Sequence, residues 1–124
     1  MLTLKFGGTS MGSAARILNS ADIIIGRAKK DRVSVVVSAV AGVSNLLMDS
    51  INGCCAGGDA KSFVSAVKKI HSAVCADIAK KCGSFDAAGV LKGLQPLFAD
   101  YEKMLNAVAA FGECPLSVHC RIMG

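Results

Sequence analysis

The residues best placed to do chemistry open the chain: Lys5-Phe6-Gly7-Gly8-Thr9-Ser10, directly after a short apolar run. Without side chains, Gly7 and Gly8 let their amides approach an anion closely, and a helix starting just beyond them turns its positive end the same way. Lys5 adds a mobile cation able to follow a transferring phosphoryl group. The spacing is neither the GxxxxGK[ST] of a P-loop nor the three-glycine dinucleotide fingerprint. A tight turn from strand to helix accounts for a lone glycine pair equally well.

A second stretch of the same kind is Ser38-Ala-Val-Ala-Gly-Val-Ser-Asn45, where an apolar run again gives way to small and hydroxyl residues. In an open parallel sheet, ligands bind beyond the carboxyl ends of the strands, so two such loops on adjacent strands would meet there. Ser38 and Ser44 could then donate to phosphate or carboxylate oxygens. For Ser44 there is a structural alternative, as the N-cap of a helix beginning at Asn45.

The remaining reactive side chains carry less. Six cysteines include no CxxC pair, which favours reduced structural thiols over a zinc site or a disulfide framework. The vicinal pair Cys54-Cys55 falls in a Gly-rich stretch read as a loop, with nothing beside it to lower a thiol pKa. His71 lies on an apolar stripe and reads as a core-edge residue, while His119 with Cys114 and Cys120 lacks a fourth metal ligand.

The elements that must position these loops follow from hydrophobic period. Leu2–Phe6 reads as a strand ended by the glycines, and Ser13 to Arg27 as an amphipathic helix with Ala14, Ile17, Leu18, Ala21, Ile24 and Ile25 on one face. Arg32 to Val40 has the continuous valine run of a buried parallel strand, completing a βαβ unit. A short helix from Asn45 towards Ile51 is expected next, then the turn-rich Asn52 to Asp59. Two long helices follow, Ala60 to Lys81 and much of Phe85 to Phe111, the second kinked or broken at Pro96. Gly112 to Pro115 is a loop, and a further helix begins after it. Two strands are too few for a finished α/β domain, so an N-terminal portion of a larger α/β fold is expected.

Bulk composition narrows the class. The 124 residues allow one compact unit, 52% of them hydrophobic and 19% charged, and the mean hydropathy is +0.50. Some of that apolar surface expects a partner, which predicts self-association or a homo-oligomer. No apolar run reaches the length of a membrane span, no signal-peptide pattern opens the chain, and a cytoplasmic location is the default expectation. The net charge of +5 comes from basic clusters with few aromatics among them, which reads as solvated helix faces rather than nucleic-acid binding.

Lys5 to Ser10, "KFGGTS", followed at this distance by "VVVSAVAGVSN", resembles aspartokinase, of the amino acid kinase superfamily. The helical stretch and "GECP" also resemble aspartokinases, including the form fused to homoserine dehydrogenase. The likeness covers essentially the whole chain and less than half of a kinase domain. It implies the N-terminal portion of a three-layer αβα sandwich, without its nucleotide-binding later half and any regulatory domains. The implied reaction moves the γ-phosphate of MgATP to the side-chain carboxylate of L-aspartate, in lysine, threonine and methionine biosynthesis. By resemblance Lys5 stabilises the transferring group, Gly7, Gly8 and Thr9 hold phosphate, Ser38 lines the phosphate and substrate pocket, and Ser44 helps bind aspartate. Glu113 has two assignments: the family's glutamate for the substrate ammonium, which stands in a Gly-Glu pair, or a residue of a loop preceding that glutamate. The isolated chain is expected to be inactive. A non-catalytic phosphate-binding or interaction module is the alternative.

Overall fold

The computed structural model describes residues 1–124 as a mixed α/β chain, mostly helical, with a two-stranded parallel sheet. Strand β1 (Leu2–Phe6) pairs in register with β2 (Val33–Val37), Leu2 against Val33 and Phe6 against Val37. Between them run a single 3-10 turn at Gly8–Met11 and the crossover helix α1 (Ala14–Ala28). Ser13 caps α1 as a hydroxyl should, its Oγ accepting from the Arg16 amide at 3.3 Å. Ser20, buried on α1, donates to the Ser10 carbonyl at 3.2 Å and so ties the glycine turn to the helix.

The second half is helical: α2 (Val43–Cys55), α3 (Ala60–Lys81), α4 (Ala87–Phe111) and α5 (Leu116–Met123). Its core joins Ile51 and Cys54 of α2, Val64 and Val67 of α3, Leu105 and Val108 of α4, and Ile122 of α5. Inside it Tyr101 donates to Ser50 Oγ at 2.6 Å, and Ser50 in turn to the Leu47 carbonyl at 2.6 Å, so neither buried hydroxyl is orphaned. His71 Nδ1–H donates to the Val67 carbonyl at 2.8 Å, and its ring meets Phe98 edge-on at 5.9 Å, the core-edge role its stripe suggests. Lys68 Nζ stands 5.8 Å from the same Phe98 ring, so one of the basic pairs does more than solvate a helix face.

Four expectations are corrected. Helix α2 starts at Val43, with Gly42 in the left-handed region (φ 84°) as its N-cap, so Ser44 is not a cap but a residue of the first turn. Starting there buries Val43, which a helix opening at Asn45 would leave in a loop. The same helix runs through Asn52-Gly53 and ends at Cys55, so the vicinal cysteines belong to its last turn, Cys54 with no exposed surface. Gly53 is there for packing: a Cβ on it would sit 2.5 Å from Phe63 Cζ. The turn comes later, where the Gly57 amide (φ 87°) donates to the Cys54 carbonyl at 3.0 Å and the Gly58 amide to the Gly53 carbonyl at 2.8 Å, a Schellman closure.

The third correction concerns α4, which passes through Pro96 without breaking because the proline is on an exposed position. The cost is confined to a Lys92 carbonyl without its usual amide donor. The fourth concerns β2, whose valines are not buried. Val35, Val36 and Val37 are 39%, 47% and 56% exposed, since α1 is the helix that packs against β2 and the sheet stops at two strands.

Candidate phosphate-binding site

Parallel pairing brings the two predicted loops side by side. The Ser38 amide donates to the Phe6 carbonyl at 3.1 Å, extending the ladder one step past both strands. A Cβ on Gly8 would then lie 3.8 Å from Ser38 Oγ, so the glycine turn and the serine loop face each other across the strand ends. Gly7, Gly8, Thr9 and Ser38 are therefore gathered in one place.

These loops are rich in unused donors. The Ser10 amide folds back on the Gly7 carbonyl at 3.0 Å, and the Gly12 amide on Thr9 at 3.4 Å. The amides of Gly7, Gly8 and Thr9 donate to no backbone carbonyl, and neither do those of Ala39 to Gly42. Two loops of N–H groups without backbone acceptors, at the carboxyl ends of parallel strands, form a surface suited to anionic oxygens.

An open cleft of about 390 Å³ lies against the glycine turn, lined by Gly8, Thr9, Gly12, Ser13, Arg16 and Ala41. Arg16 is the one charged residue of that lining, and sequence reading passed over it. Its signal was available: a cation in the first turn of α1, where the helix dipole disfavours positive charge and no acidic residue offsets it. Lys5 does not line this cleft. It is exposed, level with Val36, and alternates along β1 with the half-buried Leu4 and Phe6, so it leaves the sheet on the opposite face.

The donor set suits a phosphate group carrying its own metal. No carboxylate lines the cleft, and no group of three or more His, Cys, Asp or Glu side chains gathers anywhere in the chain. A divalent cation there would be held by phosphate oxygens rather than by protein ligands.

The other candidates lie apart. Ser44 is exposed on the first turn of α2, and Glu113 is exposed on the loop between α4 and α5, outside the cleft lining. A larger hollow of about 520 Å³ lies among the four later helices, lined mostly by apolar side chains such as Leu47, Val67 and Phe98. Arg121 and Asp100, which also line it, form an exposed ion pair at 3.8 Å. All six cysteines are free thiols; burial pushes Cys54 above its ordinary 9.0, and the nearby Cys55 and Asp59 push the same way. No helix is long and apolar enough to cross a membrane.

No family model matches the chain. It is similar to the bifunctional aspartokinase/homoserine dehydrogenase of Buchnera aphidicola subsp. Acyrthosiphon pisum, 24% identical over 123 residues, which are 99% of this chain and 15% of that protein. The chloroplastic bifunctional aspartokinase/homoserine dehydrogenase 1 of Zea mays is 28% identical over 120 residues, 97% of this chain and 13% of that protein. The chloroplastic bifunctional aspartokinase/homoserine dehydrogenase of Daucus carota is 31% identical over 121 residues, again 97% of this chain and 13% of the relative. This chain thus spans 13–15% of the length of these relatives, and its similarity is to one region of bifunctional aspartokinase/homoserine dehydrogenases.

Proposed function

We propose that this chain is the phosphate-binding N-terminal part of an aspartokinase unit, in which the γ-phosphate of MgATP passes to the side-chain carboxylate of L-aspartate. One observation carries the reading: the Gly7-Gly8-Thr9 turn and Ser38 meet at the carboxyl ends of two parallel strands, and the amides of Gly7, Gly8 and Thr9 have no backbone acceptor. MgATP would supply the phosphoryl group and its metal. The amides of Gly7, Gly8 and Thr9 orient phosphate oxygens, Ser38 Oγ donates from the facing loop, and Lys5 stabilises charge on the group in transit. Ser44 and Glu113 are assigned to aspartate by resemblance alone. The three-layer αβα sandwich and the cytoplasmic location belong to the same proposal.

Aspartate-dependent ADP formation from MgATP tests it, assayed on the protein translated from the open reading frame that carries these residues. Lys5→Ala is expected to lower turnover by about a hundredfold or more, the scale of losing one transition-state charge partner. Equal activity in both proteins would reduce the opening motif to a structural turn.

A second reading has one observation in its favour: three valines of β2 are uncovered, as an interaction surface would have them. On that reading the chain is a non-catalytic phosphate-binding or interaction module. Phosphate binding without aspartate-dependent turnover would select it.

A further inference from the structure

We infer that Arg16 is the cation that holds the bound phosphate chain in its cleft, a role separate from that of Lys5. The inference rests on the phosphate reading of the cleft and adds to it a residue and a division of labour. Three observations support it. Arg16 is the charged member of the cleft lining, beside Gly8, Thr9 and Gly12, and no carboxylate shares that lining. It makes no ion pair within the chain, whose salt bridge is Arg121 with Asp100. Its stem lies over Gly12, with Cδ 3.8 Å from where a Cβ on that glycine would be. The stem thus runs beside the turn, which keeps the exposed guanidinium near the cleft.

Folding gains little from this charge, which is exposed and unpaired. The first turn of α1 has no acidic residue, Arg16 stands at the positive end of the helix dipole, and nothing in the protein neutralises it. An anion in the cleft would remove the conflict, since it meets the guanidinium, the helix end and the free amides of Gly8 and Thr9 together. Lys5 is on the other face of the strand, where it can reach a group at the strand ends without occupying this cleft. Arg16 therefore holds phosphates that stay with the nucleotide, and Lys5 serves the one that moves.

The 124-residue chain itself is used for the test. Binding of inorganic tripolyphosphate is measured by calorimetry at low ionic strength for the wild type, Arg16→Gln, Arg16→Lys and Lys5→Gln. Thermal unfolding of each is followed by circular dichroism. Arg16→Gln is expected to weaken binding by about tenfold or more, the scale of one charge-assisted hydrogen bond, with the melting curve kept or slightly raised. Arg16→Lys is expected to recover part of the affinity, and Lys5→Gln to cost less than Arg16→Gln. If the wild type binds and Arg16→Gln binds equally well, the role of Arg16 is overturned while the cleft survives. If the wild type binds no tripolyphosphate, the phosphate reading and this inference fall together. If Arg16→Gln melts lower and Arg16→Lys restores melting but not binding, Arg16 is structural and the inference is wrong.

Discussion

The two halves of this chain solve opposite problems. The four later helices close on themselves: Leu105 and Cys54 have no exposed surface, Val108 is 2% exposed, and the buried hydroxyls run in a chain from Tyr101 to Ser50 to the Leu47 carbonyl. The sheet half has almost no interior, with β2 bare on most of its length and every proposed phosphate ligand exposed. Stability and chemistry are therefore housed apart. Ordering comes from the helical core, and the strand ends are left free to present donors.

If that division is right, mutations should sort by half. Leu105→Ala strikes the fully buried centre and is expected to destabilise the chain by about 2–5 kcal/mol, measured by urea unfolding. Next comes Ser50→Ala, which leaves the Tyr101 hydroxyl without its acceptor, at about 1–3 kcal/mol. Tyr101→Phe removes only the donor and should cost less.

The same phenol gives the helical half a pH signature. Burial raises Tyr101 above its ordinary 10.0 and Cys54 above 9.0, so the folded chain holds these protons longer than the unfolded one. Their contribution is complete below pH 9.0 and is lost as pH rises past the ordinary values and through the raised ones. Tyr101→Phe is expected to flatten the stability curve above pH 10. An unchanged slope would show that the phenol is not protected by the core.

The smallest stability effect belongs to the sheet. Val36→Lys, on an exposed strand position directly opposite Lys5, should cost less than about 1 kcal/mol, through like-charge repulsion across the pair. Its consequence should be in assembly, because uncovered valines on a sheet with open strand edges invite a second copy. Analytical ultracentrifugation is expected to show concentration-dependent self-association in the wild type and less of it in Val36→Lys. A wild type that stays monomeric at high concentration would remove the self-association proposal.

How far the sequence could be read divides along the same line. Helix α1 was legible because its cap and its stripe agree: Ser13 does accept the Arg16 amide, and Ala14 is buried at the start of the apolar face. Both strands and the two long helices were legible for the same reason, local pattern and tertiary packing pointing one way. Helix α2 was expected but its two ends were not, because its glycines serve purposes that composition hides. Gly42 begins the helix from a left-handed backbone, and Gly53 makes room for the Phe63 ring in what reads as an Asn-Gly turn. The valine run misled differently, since a strand's pattern records the environment it suits rather than the one these residues supply. Adjacency of Gly8 and Ser38 was predictable from parallel pairing; the place of Arg16 in the first turn of α1 was equally readable, but not the direction of its stem, which brings it to the cleft.

Amide mapping by NMR would test most directly whether the strand-end loops, and not the helical hollow, receive the nucleotide phosphates. On titration with MgATP, the account predicts the largest shift changes at the amides of Gly7, Gly8, Thr9 and Ser38 to Gly42, with α3 and α4 nearly unmoved. Changes centred instead on Val67, His71 and Phe98, with the glycine turn silent, would contradict it.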